Sequence, residues 1–238
     1  MDRDKKLILA SASPRRKEIM EKLGLDFEIK VSGCEELTDA KEPGKIVIQL
    51  AKLKALDVAD EQKGLSYVVI GADTVVAHKG CIMGKPADEA AAFNMIKSYA
   101  GDIHKVYTGV CVAVSYKDED EKERITEAAS RFKKETAGFY GVEHLNIADR
   151  MQGNTEVSQN ESICGIITVS YSVYTDVHVV PMSDDEIRQY ATSGEPLDKA
   201  GAYAIQGGFA PYISSINGDY YNVVGLPACS LYALLKNL

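Results

Sequence analysis

Two hydroxyls and two guanidiniums crowd the stretch LILASASPRRKEI, residues 7–19: Ser11, Ser13, Arg15 and Arg16. Ser13-Pro14 has the residue types of a helix N-cap followed by the first helical position. A helix start offers unpaired N–H groups and the positive end of the helix dipole. Hydroxyls and guanidiniums placed there make an anion site best suited to phosphate. Taken alone, the stretch goes no further than a capping serine and two solvated arginines, because such helix starts are common. It is not a Walker loop, since no GxxxxGK[ST] is present.

A second candidate is VVIGADTVV, residues 68–76, in which an apolar run ends in Asp73. An acid at the C-terminal edge of a central strand faces the usual crevice of an α/β sheet, where it can hold a metal or activate water. An Asx turn leading into a hairpin is the competing reading. Lys54, Lys85 and the pair Glu35-Glu36 each read as surface charges on their own. GEPLDKAGAYAIQGG, residues 194–208, is a glycine-dense loop that also carries Lys199 and Gln206. Glycines there permit close approach to a ligand, and such loops commonly carry function. The four histidines are scattered, with no pair at metal-ligand spacing, and no Ser-His-Asp order or activated cysteine suggests a covalent nucleophile. Together, arginines and lysines to hold phosphates and carboxylates to hold a divalent ion and position water are the equipment of metal-assisted phosphoryl chemistry.

The elements that must position these groups alternate strand and helix, which predicts an α/β fold with a mixed sheet. Residues 5–12 and 65–72 read as buried strands, and Phe27, Ile29 and Val31 alternate at the period of a strand. A helix runs from Ser13-Pro14 to Gly24. A second opens at Pro43-Gly44, with the stripe Ile46, Val47, Leu50, Leu53 and Leu56. A third spans 88–99. Val75–Ala77 and Cys81–Met83 flank a tight hairpin at His78-Lys79-Gly80. Residues 106–116 and 166–180 are long strands, and Ser183 with Glu186 forms a capping box for a helix to about Thr192. Residues 209–216 and 220–224 read as a closing hairpin around Asn217-Gly218, and Pro227 starts a last helix. The polar stretch 117–165 begins KDEDEKER. Beyond a short helix suggested by Ile125, Ala128, Ala129 and Phe132 it shows no sustained period, so it reads as a surface insertion or partly disordered segment without a chemical role. The whole, 1–238, reads as a single catalytic domain carrying that insertion.

The totals bound the function. With 238 residues, 45% of them hydrophobic, the chain has ample material for a core. No apolar run is long enough to span a bilayer, and the charged start MDRDKK followed by LILA lacks the pattern of a signal peptide. Five cysteines without paired spacing argue against a disulfide framework or a zinc site and for a reducing cytoplasm, where the acceptor pattern Asn160-Glu161-Ser162 would go unglycosylated. A net charge of -8 makes the chain a poor binder of polymeric nucleic acid and points to a small-molecule site or a protein partner.

SASPRR, GADTVV followed by GKP, and GEPLDKAGAYAIQG followed by NVVGLP together resemble the Maf family of nucleoside triphosphate pyrophosphatases, over residues 5–116 and 166–238. The resemblance implies a two-lobed mixed-sheet fold similar to inosine triphosphate pyrophosphatases, with a substrate cleft between the lobes. It implies hydrolysis of a nucleoside triphosphate to monophosphate and pyrophosphate with Mg²⁺ or Mn²⁺. Asp73 matches the family's catalytic acid, a general base on water. Glu36, Lys54 and Lys85 match its other functional polar positions, with Glu36 and Asp73 as metal ligands. Ser11, Ser13, Arg15 and Arg16 match the phosphate-binding opening, and Lys199 falls in the late substrate-binding loop. Arg15, Thr74 and Gln206 match the specificity positions of members acting on dTTP and UTP; a glutamine offers both donor and acceptor to a pyrimidine edge. Residues 117–165 depart from the compact pattern of the family. Homodimers occur in it, and it has been linked to septum formation. Two alternatives therefore stand beside the pyrimidine reading: a nucleotide-binding regulator of cell division acting through a partner, and a purine triphosphate pyrophosphatase.

Overall fold

The computed structural model describes residues 5–62, 66–151 and 163–238. Leu65, residues 152–162 of the polar stretch with Asn160-Glu161-Ser162, and residues 1–4 of the charged start lie outside the described residues. In chain order the elements are β1 (Lys6–Leu9), α1 (Pro14–Lys22), β2 (Glu28–Ile29), α2 (Pro43–Asp60), β3 (Tyr67–His78), β4 (Cys81–Met83), α3 (Glu89–Tyr99), β5 (Ile103–Tyr116), α4 (Glu119–Glu135), β6 (Val142–Met151), β7 (Gly165–Val179), α5 (Asp184–Ala191), β8 (Ile213–Asn217), α6 (Tyr220–Val224) and α7 (Ala228–Asn237). Short 3₁₀ turns at Glu195–Asp198, Ala200–Ala202 and Ala210–Tyr212 build the late glycine loop.

The described strands form one mixed sheet in the order β2-β1-β3-β5-β7-β6, with β4 added to β3 and β8 to β7. β1 runs parallel to β2 and β3, and the other pairs are antiparallel. Side chains alternate across the sheet, so its two faces bury different clusters. On one face, Tyr67, Val69, Cys111 and Ala113 pack on Ala51, Ala55, Val58 and Ala59 of α2. On the other, Ile70, Val112, Val169 and Tyr171 meet α1, α4 and α7, while Val76, Val106 and Val177 further along the same strands meet α3, α5 and the late loop. The sheet itself runs unbroken beneath these two cores.

α2 sits unusually close to its face. A methyl built on Gly71 would stand 2.8 Å from Ala55 N and closer still to the Ala51 carbonyl oxygen, and one on Gly109 would meet the Val47 carbonyl. Only glycine at both positions lets the helix backbone lie against β3 and β5.

Several expected elements take a different form. β2 is two residues long, and Ile29 and Val31 are exposed. α2 buries Val47, Leu50 and its alanines, whereas Leu53 is exposed, so its buried face is rotated from the predicted stripe toward the small residues that close approach demands. β3 does not end at Asp73, because its register with β5 continues from Val68 to Ala77. The hairpin after it is as expected, with Lys79 and Gly80 at positive φ and His78 paired with Cys81. Tyr220–Val224 is a helix rather than a returning strand, capped by Asp219, which accepts from Tyr221 N at 2.8 Å. The largest correction concerns 117–165. It holds a 17-residue helix, α4, whose Ile125, Ala129 and Phe132 are buried in the main core with Ala128 buried beside them, and a ten-residue strand, β6, paired with β7. A buried ion pair of 2.6 Å between Lys5 and Glu121 ties α4 to the entry of β1. The polar face of α4 carried the composition that read as an insertion.

Candidate active site

The position of the site follows from where the neighbours of β3 stop. β1 pairs with β3 only as far as Leu9 opposite Ile70, and β4 begins at Met83 opposite Val76. Residues 71–75 therefore have no strand partner on that side among the described residues. Within this gap Asp73 projects to the α2 face and Thr74 to the other, so one open edge exposes groups from both faces of the sheet.

On the α2 face, Lys54 Nζ donates to Asp73 Oδ1 at 2.7 Å and lies 3.0 Å from Glu36 Oε1. Lys54 and Asp73 are each only 14% exposed at the side chain, so the charges are largely withdrawn from water, while Glu36 stands out in its loop at 55%. One lysine thus holds two carboxylates in register. On the other face, the β1–α1 turn brings in Ser13, which caps α1 through Arg16 N, and Arg15 and Arg16 in its first turn. Arg16 donates to Gly225 O at 2.8 Å, to Ser11 Oγ at 3.2 Å and to Thr74 Oγ1 at 3.2 Å. Burial holds its pKa below the usual guanidinium range, with Asp73 opposing that shift.

These groups line one cleft of about 450 Å³, together with Lys85 beyond β4 and Lys199 and Gln206 of the late loop. Of the residues singled out in the sequence, Ser13, Arg15, Arg16, Glu36, Lys54, Asp73, Thr74, Lys85, Lys199 and Gln206 all reach it. Ser11 is buried behind Arg16 and reaches the cleft through it. Arg15, Arg16, Lys54, Lys85 and Lys199 oppose Glu36, Asp73 and Asp198, a surplus of cations concentrated here in a chain of net charge -8. Leu50, Val76, Val106, Tyr203 and Val223 give the walls apolar area, as a small-molecule site requires.

The late loop is held by its own framework. Tyr190 donates to Glu195 Oε1 at 2.7 Å, Gly208 N donates to Glu195 Oε2 at 3.0 Å, and Tyr99 donates to the Gly201 carbonyl. His104 Nε2 bonds Tyr203 Oη at 2.8 Å inside a cage formed by Tyr99, Tyr203 and Phe209, and burial lowers its pKa to about 3.

Sequence reasoning did not single out Asp198, Thr108 or Asn222. Asp198 lines the cleft and holds Lys199 at 2.5 Å, a contact that keeps its carboxyl below the usual range. Thr108 and Asn222 are wholly buried beneath Thr74. Asp198 and Asn222 fall inside the motifs GEPLDKAG and NVVGLP, which was a usable signal; Thr108, within VYTGV, carried none.

The arrangement can grip a polyanion and hold one carboxylate beside it. Glu36 and Asp73 are of the ligand type a hard divalent cation takes, because Mg²⁺ commonly takes one or two protein carboxylates and completes its shell with phosphate oxygens and water; here Lys54 pairs with both. Among the described residues no cluster of three or more His, Cys, Asp or Glu could hold a metal by itself. No helix among the described residues is long and apolar enough to cross a membrane.

A family model described as Maf-like protein matches residues 6–139 and 144–238, including most of the stretch 117–165. The dTTP/UTP pyrophosphatase of Lachnoclostridium phytofermentans is 36% identical over 230 residues, 97% of this chain and 93% of that protein. The protein of the same name from Alkaliphilus metalliredigens is 37% identical over 231 residues, 97% and 94% of the two chains. That from Thermoanaerobacter sp. (strain X514) is 38% identical over 231 residues, 97% and 95%.

Proposed function

The chain belongs to the Maf family, and we propose that it is a nucleoside triphosphate pyrophosphatase acting on dTTP, UTP and related or modified pyrimidine nucleotides. The observation that carries this reading is Asp73 held at 2.7 Å by Lys54 in a cleft with a surplus of cations. Arg15, Arg16, Lys85 and Lys199 receive the triphosphate. Asp73 takes the proton of a water that attacks the α-phosphorus, the α–β anhydride bond breaks, and pyrophosphate leaves against the guanidiniums and ammoniums. Lys54 orients the Asp73 carboxylate by holding Oδ1, which leaves Oδ2 for water. Gln206 supplies a donor and an acceptor to the pyrimidine edge. Glu36 and Asp73 would hold Mg²⁺ or Mn²⁺, which would supply further neutralisation of phosphate charge. We place the reaction in the cytoplasm, which suits the free thiols of Cys34, Cys81, Cys111 and Cys229.

The test is pyrophosphate release across common and modified triphosphates with either metal. Monophosphate and pyrophosphate are expected from dTTP and UTP, and Asp73→Asn lowers kcat by about 10²–10⁴-fold, the usual contribution of a general base. Release of single phosphate, or tight nucleotide binding without turnover at any metal, refutes the proposal.

A further inference from the structure

The hydrogen bonds behind the cleft have a fixed direction. A guanidinium only donates, and Arg16 NH2 donates to Thr74 Oγ1 at 3.2 Å. A backbone carbonyl only accepts, and Asn222 O accepts from Thr108 Oγ1 at 3.0 Å. Between these ends stand two hydroxyls 3.0 Å apart, each with a single proton. The Thr108 proton is committed to Asn222, so the proton shared by the two threonines comes from Thr74. Thr74 therefore turns its proton inward and a lone pair toward Arg16.

We propose that Thr74 and Thr108 are positioning residues of Arg16: the pair aims a phosphate-gripping guanidinium. The proposal rests on the pyrophosphatase reading for its substrate, but not for its geometry. Of the five N–H groups of Arg16, one is fixed by Gly225 O, one by Ser11 Oγ and one by Thr74 Oγ1. One hydrogen on NH1 and one on NH2 remain for an anion. α6 closes the ring, because Asn222 anchors Thr108 while Gly225, just past the end of the helix, anchors Nε. Asn222 is itself fixed by Nδ2, which donates to Val106 O and to Thr175 Oγ1 at 3.0 Å each. Thr108 is fully buried and does not line the cleft, so it reaches substrate only through Thr74 and Arg16.

Thr108→Val keeps the shape and removes the relay. Two measurements test it: kcat and KM for dTTP, UTP and GTP, and the Kd of inorganic tripolyphosphate, which has no base. The expectation is a loss of about tenfold in kcat/KM for every triphosphate, the scale of one net hydrogen bond. The tripolyphosphate Kd weakens by a similar factor and the dTTP-to-GTP ratio stays unchanged. Thr108→Ser restores the relay and both quantities. Thr74→Val weakens the tripolyphosphate Kd by the same factor and serves if Thr108→Val does not fold. Wild-type tripolyphosphate affinity in folded Thr108→Val or Thr74→Val overturns the proposal. So does a shift of the dTTP-to-GTP ratio in Thr108→Val, or a failure of Thr108→Ser to restore. If the wild-type protein turns over no triphosphate, the proposed function fails, while the tripolyphosphate comparison still decides the relay.

Discussion

Gly71→Ala tests whether the chemistry depends on how closely α2 lies to the sheet. Gly71 is two residues before Asp73 on the same face of β3, and Lys54 is on the helix opposite. The added methyl would stand 2.8 Å from Ala55 N and 2.9 Å from Ala55 Cβ, and nearer still to the Ala51 carbonyl oxygen. Ordinary contacts need about 3.5–4 Å, so relief requires α2 to withdraw by roughly 1 Å. The Lys54–Asp73 contact of 2.7 Å then opens beyond hydrogen-bond range. A misplacement of about 1 Å costs on the order of 100-fold in rate, and overpacking costs about 1–3 kcal/mol. At about 2–4 °C per kcal/mol for a chain of this size, the melting temperature falls by roughly 2–12 °C. Calorimetry and pyrophosphate release are the assays. Trimming Ala55 to Gly in the same chain does not rescue, because the nearest obstacle is backbone. If Gly71→Ala keeps its melting temperature and more than about a tenth of wild-type kcat, close approach of α2 is not what holds Lys54 on Asp73, and the reasoning fails.

Phe132→Ala tests the integration of α4. Phe132 is fully buried with its ring 5.2 Å from that of Tyr171, so its loss costs about 3–5 kcal/mol and lowers the melting temperature by roughly 6–20 °C; a shift under about 2 °C would return 117–135 to the status of an appendage. His104 sets an acid limb. Its folded pKa of about 3 lies below the unfolded value near 6.5, chiefly through burial, with His78 and His178 adding to the shift and Asp102 opposing it. The unfolded chain therefore binds the extra proton, so this contribution is whole above pH 6.5 and is lost as pH falls toward 3, by up to about 1.4 kcal/mol per unit. His104→Gln flattens the dependence of the urea midpoint on pH between 7 and 5, and an unchanged slope there contradicts the assignment.

The residues of the cleft were legible because their types and order recur in compact motifs, and local chemistry at Ser13-Pro14 and Ser183–Glu186 fixed two helix starts that the structure keeps. What local pattern could not give was tertiary context. YYNVV has strand-like side chains, yet Asp219 caps it as a helix whose end anchors Arg16 through Gly225. The acidic first turn of α4, Glu119 to Glu121, dominated the composition of its segment, although Ile125, Ala128, Ala129 and Phe132 already marked its buried stripe. Thr108 is unremarkable in sequence and takes its meaning only from Thr74 above it and Asn222 below.

Asp73 shows why a strand's chemistry depends on its neighbours as well as its own residues. The apolar run 68–72 suggested that the strand ended where the acid appeared, at the C-terminal edge that faces the crevice of an α/β sheet. The strand continues, and the pairing on one side is what stops: β1 leaves at Ile70 and β4 arrives at Val76. An ionised group in mid-sheet costs several kcal/mol unless it is paired or solvated, and the gap allows Lys54 and water to do both. The same gap lets one strand offer consecutive residues, Asp73 and Thr74, from opposite faces to one ligand. A site at a strand end would gather its groups from loops, whereas here β5 holds Asp73 opposite Gly109 and Thr74 opposite Thr108 in fixed register. The carboxylate that Lys54 holds and the hydroxyl that accepts from Arg16 are thereby set one residue apart on a paired backbone.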